Sequence, residues 1–151
     1  MIETGVHILI RDATELDLGA IIAIDAQISG IEKTAYWQDA YAEYQRHKVN
    51  RVFLVATADD QVLGFIMGEI RAWEFGSEPC GWVFAIGVLE NHKLTGIGAR
   101  LLDDLCRHFK QNGVNKVRTM TAKQDNELLS FFRSQGLMAG PYLQLEKDLS
   151  D

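Results

Sequence analysis

Residues Trp82–Gly98, WVFAIGVLENHKLTGIG, decide how this chain of 151 residues is read. An apolar, β-prone run breaks at Glu90-Asn91-His92 and ends in Gly96-Ile97-Gly98, where an amphipathic helix begins. Strand, short turn, glycine pair and helix start together aim bare backbone N–H groups at an anion. The first helical amides lack intrahelical acceptors, and aligned peptide dipoles place about half a positive charge there. Glycine removes the Cβ that would keep a phosphate from the backbone. The turn is therefore suited to a phosphorylated cofactor.

Charge around this turn agrees. From His92 to Lys123 the chain carries Lys93, Arg100, Arg107, Lys110, Lys116, Arg118 and Lys123 against Asp103 and Asp104, a balance of +5. Since the whole chain stands at −6, the remainder holds −11. A basic segment suits a polyanionic cofactor, and an acidic remainder leans toward a cationic acceptor. The overall negative charge argues against bulk nucleic-acid binding.

The length allows one domain, residues 1–151, with one sizeable core. A composition of 47% hydrophobic and 24% charged residues is that of an ordinary globular protein. No apolar stretch approaches the roughly 20 residues that span a membrane, and Ala20–Ile24 is too short for a signal core. A cytoplasmic protein without a membrane partner is expected. The two cysteines lack CxxC spacing and the four histidines are scattered, so no metal site is expected.

Periodicity supplies the elements. The opening residues through Arg11 alternate as a strand. A helix follows from Ala13-Thr14-Glu15 through about Ile28, with Leu16, Ile21, Ile24 and Ile28 near one face. Ala35 to Lys48 reads as a second helix, rich in Tyr36, Trp37, Tyr41 and Tyr44. Strands at Arg51–Thr57 and Gln61–Arg71 are joined by a hairpin turn at Ala58-Asp59-Asp60. After Trp82–Val88, helix 97–111 carries an apolar stripe of Ile97, Leu101, Leu102, Leu105, Cys106 and Phe109, and stops at Asn112-Gly113. Lys116–Thr121 reads as a strand, Asn126–Ser134 as a helix and Tyr142–Glu146 as a last strand.

Val88 to Gly98, continued by Ala99-Arg100-Leu101-Leu102, resembles the coenzyme-A-binding signature of the GNAT N-acetyltransferases. The stretch Asn126-Glu127 through Phe131-Phe132 to Gly136-Leu137 is similar to that family's later helix and strand, so the resemblance covers nearly the whole chain. It implies a single-domain α/β fold with a mixed, mostly antiparallel sheet, a splayed parallel pair and flanking helices. The implied activity moves an acetyl group from acetyl-CoA directly to a primary amine in a ternary complex. Lys93, Leu94, Thr95, Gly96, Ile97, Gly98, Ala99 and Arg100 would hold the pyrophosphate. Ile86, Gly87 and Val88 would pair with the pantetheine arm as an added strand does, the Val88 amide serving as oxyanion donor. The acceptor, small-molecule amine or protein amine, stays open, and a homodimer is common among such proteins.

This chain departs from the family's pattern where chemistry is expected. Lys93 stands for the usual Arg or Gln, Leu94 for Gly, Glu90 for a common Pro and Asp125 for Asn. Phe132 takes the place of a tyrosine that protonates the departing thiolate, and Trp82 that of a strand glutamate used as base. Glu69, late in the preceding strand, is the preferred base, with Glu74 and Glu78 as alternatives. The loop Ile28–Lys33 with Tyr36-Trp37, and the pair Trp73 and Phe75, are candidate acceptor-side aromatics and aliphatics. His92 abuts the phosphate turn. One rival is an acyl-CoA sensor that kept the cofactor turn and lost the reacting groups. A dinucleotide enzyme is the other, disfavoured by the missing third glycine and the hairpin strands.

Overall fold

The computed structural model describes residues 7–93 and 95–150. Its contacts divide into two units, one ending at Met120 and one beginning at Thr121. The first is built on a sheet of five strands in chain order: β1 (Leu9–Asp12), β2 (Arg51–Ala58), β3 (Gln61–Arg71), β4 (Cys80–Val88) and β5 (Val117–Thr119). All neighbours are antiparallel except β4 and β5, which run parallel. The sheet is thus mixed and mostly antiparallel, and the order read from the sequence up to β5 is the order found.

Each face of the sheet has its own cover. On one, Ile21 and Ile24 of α1 (Leu18–Ser29) and Trp37, Ala40 and Tyr44 of α2 (Thr34–Arg46) pack on Phe53, Val55, Phe65 and Met67. Trp37 meets Phe65 edge-on at 5.1 Å between ring centres, an arrangement aromatic pairs favour. The other face carries α3 (Ile97–Gln111), which buries Ile97, Leu101, Leu102, Leu105 and Phe109. Gly64, Gly68 and Gly81 let this helix sit close: a Cβ at Gly81 would lie 2.2 Å from the Phe109 ring. Burying each such side chain contributes about 1.5–3 kcal/mol, which outweighs the weak helix propensity of Phe and Ile.

Local signals behave as their chemistry dictates. Asp59 and Asp60 both take positive φ, 50° and 64°, as a two-residue hairpin turn requires. Gly113 ends α3 with φ 82°, the left-handed conformation that glycine adopts without Cβ strain. Asp17 accepts hydrogen bonds from Arg11 (2.7 and 2.9 Å), from the Thr14 amide at 2.7 Å and from the Thr14 hydroxyl at 3.1 Å. The Arg11 guanidinium holds this buried carboxyl below its ordinary range.

Three sequence expectations are corrected. The first long helix begins as a 3₁₀ turn at Glu15–Asp17, which turns Leu16 out to solvent, 94% exposed, and Ile28 at the far end is exposed as well. Cys106 is half-buried, lining a cavity of about 360 Å³ with Phe109, Lys110 and Val114–Val117. In the second unit, α4 (Asn126–Ser134) is present with Asp125 capping the Leu128 amide at 3.1 Å. Residues 142–150 form no strand, however. Leu143, Leu145 and Leu149 alternate apolar and polar as a strand would, yet each is more than four-fifths exposed. Residues 1–6 of the expected first strand lie outside the described residues.

Leu105→Ala should cost about 2–5 kcal/mol of unfolding free energy, whereas Leu16→Ala should stay within about 0.5 kcal/mol; urea titration of both checks this. Because the Asp17 carboxyl is held low, its contribution is present at neutral pH and is lost as pH falls through that lowered value. Stability of Asp17→Asn should accordingly fall less steeply below about pH 4 than that of the parent.

Candidate active site

The candidate site begins where β5 stops. It pairs with β4 only at Gly81, Trp82 and Val83, while β4 runs on to Val88. Among the described residues no strand covers this edge of β4 beyond Val83. A gap between parallel neighbours therefore opens at Phe84–Val88.

A β-bulge decides which peptide groups face the gap. Met67 pairs with Ala85 and Gly68 with Val83, so Phe84 is the extra residue, opposite none. Before the bulge, the Gly81 amide donates to the Lys116 carbonyl at 2.8 Å and the Thr119 hydroxyl donates to the Val83 carbonyl at 3.0 Å. Odd-numbered residues thus face β5. Past the bulge, the Leu89 amide donates to Leu63 on the β3 side at 2.9 Å. Alternation in an antiparallel ladder then turns the peptide groups of Ile86 and Val88 toward the gap. Without the extra residue, Ala85 and Gly87 would face it instead.

Directly beyond β4 comes the glycine turn. Residues Glu90–His92 form one 3₁₀ turn, and the Thr95 hydroxyl donates to the His92 carbonyl. Gly96 takes φ 84° and the Arg100 amide donates to its carbonyl at 3.0 Å, so α3 starts there. A Cβ at Gly96 would meet nothing within 4 Å, so it is the left-handed backbone conformation that calls for glycine there. Thr95, Gly96 and Arg100 are exposed, Gly98 and Ala99 half-buried, and Ile97 anchors in the core. Lys93 pairs with Glu90 at 3.5 Å. Leu94 lies outside the described residues.

The opposite side of β4 faces α1. A Cβ on Gly87 would lie 2.7 Å from the Phe65 ring and 3.1 Å from Ile28, so the end of α1 closes on this point of the strand. Gln27 accepts from the Glu90 amide at 3.1 Å and ties α1 to the turn. The Ile28–Lys33 loop therefore begins beside the Val88 end of β4.

Glu69, expected as a base, pairs across the ladder with Trp82 and with Arg51. Its carboxylate is held between Arg51 at 3.3 Å and Arg71 at 3.6 Å. Arg71 also binds Glu74 through two hydrogen bonds of 2.6 and 2.8 Å and lies over the Phe84 ring, 5.9 Å from its centre. This chain of contacts has no local sequence signal, because it depends on register. Asp25 accepts from the Trp37 indole at 3.0 Å and pairs with Lys33 at 3.4 Å. Phe132 is buried in the second unit. Among the described residues no group of three or more His, Cys, Asp or Glu could hold a metal ion, and no helix is long and apolar enough to cross a membrane.

Comparison with solved structures places the fold. The aminoglycoside N-acetyltransferase AAC(6')-Iy, solved in complex with CoA, superposes with a TM-score of 0.83 at 16% identity, covering 99% of this chain and 100% of the other. The aminoglycoside 6'-N-acetyltransferase AAC(6')-IG from Acinetobacter haemolyticus gives 0.79 at 19% identity over 95% and 99%. A transcriptional regulator from Bacillus halodurans C-125 gives 0.79 at 22% identity over 95% and 100%. No curated protein matches the sequence. The family model for "Acetyltransferase (GNAT) family" matches residues 22–137, from α1 through α4 and just beyond. A parallel β4–β5 pair joined through a glycine-opened helix, within a sheet of this order, accords with that match: the chain belongs to the GNAT acetyltransferase family.

Proposed function

We propose that this protein is an acetyl-CoA-dependent N-acetyltransferase, a single GNAT domain over residues 1–151 that transfers acetyl directly to a primary amine in a ternary complex. The observation that carries this reading is the uncovered edge of β4, with the peptide groups of Ile86 and Val88 facing the gap and the Gly96 turn at its end. That edge fits an arm bearing amides, which would add to β4 as a short strand. The turn fits a pyrophosphate, held by amides of Thr95, Gly96, Ile97, Gly98 and Ala99, with Lys93 and Arg100 supplying charge. When bound, acetyl-CoA would supply an activated acetyl group.

The chain's own groups then have separable tasks. The Val88 amide donates a hydrogen bond to the thioester carbonyl oxygen as charge develops there, worth about 3 kcal/mol by comparison with other such donors. An amine with pKa about 10.4 must lose a proton at pH 7, at a cost of roughly 4–5 kcal/mol. Glu69 is the proposed acceptor of that proton through water, at the expense of its ion pairs with Arg51 and Arg71. Phe132 cannot return a proton to the leaving thiolate. A thiol of pKa about 8.5 leaves tolerably without one, so the loss is at the low end of about 10²–10⁴-fold. Two free cysteines, Cys80 and Cys106, suit the reducing cytoplasm, where we place the protein.

The competing reading is an acyl-CoA-binding module without turnover, favoured by Trp82 and Phe132 and by the arginines that hold Glu69. Thiol release from acetyl-CoA across a panel of amines separates the two. Val88→Pro, which removes the donor N–H, should lower kcat by about 10²–10³-fold. Glu69→Gln should lower it by at most about 10²-fold. The Glu69→Gln variant should bind coenzyme A within a few-fold of the parent by calorimetry. Tight binding with no thiol release from any amine would establish the binding module instead.

We also propose a homodimer assembled through the C-terminal residues. Met138, Leu143, Leu145 and Leu149 are largely exposed and lie close together in sequence, where a partner copy would cover them. Sedimentation should show a dimer that Leu143→Asp with Leu145→Asp converts to monomer; a parent monomer at about 100 μM would contradict this.

A further inference from the structure

The aminoglycoside acetyltransferases that share this fold act, by their names, on polyamines of high positive charge. Whether this chain could do so depends on unspent negative charge beside the reacting end of β4. Four carboxylates on the elements that frame it already have cationic partners. Glu69 lies between Arg51 and Arg71, Glu74 is bound twice by Arg71, Asp25 pairs with Lys33 and Glu90 with Lys93. Displacing an internal cation would be needed at each of these four, and the exposed Glu32 and Glu78 on the same elements add only screened charge. Such exchange gains little at half-exposed positions.

What the same surface leaves open is apolar. Phe84, at the bulge, is 43% exposed although it sits in the middle of β4, and Ile28, which reaches the Gly87 position from α1, is 49% exposed. Trp82 lies two residues before Phe84 on the strand and is only half-buried. Arg71, under the grip of Glu74, covers one side of Phe84, which links the β3–β4 loop to the bulge. That loop holds Trp73 and Phe75 at φ 67° and 58°, conformations that bulky side chains rarely adopt, and leaves them 67% and 78% exposed. Strain of this kind costs of order 1–3 kcal/mol per residue and persists where the surroundings impose it, commonly at ligand clamps.

We infer that the acceptor is a monoamine on an apolar or aromatic body, seated on Phe84 and Ile28 with Trp82 and the Trp73–Phe75 loop at the outer rim, and not a polyamine. The inference rests on the acetyltransferase reading and narrows it. The amine nitrogen points at the thioester carbonyl beside Val88, and the body of the acceptor covers the bulge. Removing one apolar wall should act mainly on KM, because it removes binding shared by ground and transition states.

Thiol release measured with 2-phenylethylamine and with spermidine tests it. The aromatic amine should show a kcat/KM at least about tenfold higher, and Phe84→Ala and Ile28→Ala should each raise its KM by about tenfold. Arg71→Ala, which frees Glu74, should improve spermidine relative to 2-phenylethylamine by about tenfold. A preference for spermidine in the parent, or a KM for 2-phenylethylamine that neither alanine variant moves, overturns the acceptor class while leaving the acetyltransferase reading intact. Bound acetyl-CoA with release from neither amine overturns the reading itself, and the acceptor class with it.

Discussion

The site depends on one mismatch of lengths: β4 is nine residues long, and its parallel neighbour covers three of them. An exposed strand edge is normally a liability, a row of unpaired N–H and C=O groups open to association. Here the uncovered stretch is short and flanked, with the end of α1 on one side and the opening of α3 beyond. The single extra residue Phe84 turns this edge into a specific one. By shifting parity it presents Ile86 and Val88, and it places a large ring on the acceptor side of the same strand. One insertion in the ladder therefore sets both the peptide groups proposed to hold an acyl carrier and the ring proposed as a wall for the acceptor.

The rest of the first unit holds that strand in place. Gly64, Gly68 and Gly81 flatten one face so that α3 packs against it, and this packing fixes where the helix begins. Since α3 begins at Gly96, the amide groups of its first turn stand directly beyond the end of β4. On the other face the aromatic cluster around Trp37 supports β2 and β3, against which β4 is registered. A large hydrophobic investment thus positions a few peptide groups to within the tolerance that transfer chemistry needs.

Much of this was legible in the sequence, for identifiable reasons. Helix 97–111 and strand 61–71 have strong periodicity and clean end signals, and both occur with those bounds. The glycine turn was legible because few other sequences bring positive φ and close approach together at a helix start. Phe84 as a bulge was not, because a register shift exists only relative to the partner strand. The pairing of Glu69 with Arg51 is likewise a cross-strand fact, set by the β2–β3 register over a separation that shows no local pattern. Leu16 misled because a helical wheel assumes 3.6 residues per turn from the first residue, and a 3₁₀ turn at Glu15–Asp17 breaks that phase. Residues 142–146 misled in another way. Alternation gives a strand its two faces, but a strand also needs a neighbour, and sequence alone does not supply one.

The central claim is that the peptide groups of Ile86 and Val88 are donors and acceptors for an acyl carrier. Amide hydrogen exchange, followed residue by residue in ¹H–¹⁵N spectra with and without acetyl-CoA, tests it most directly. Strong slowing at Ile86 and Val88, together with the first amides of α3 and with Ala85 and Gly87 little changed, is the predicted pattern. Acetyl-CoA binding that slows exchange elsewhere and leaves Ile86 and Val88 unaltered would contradict the account.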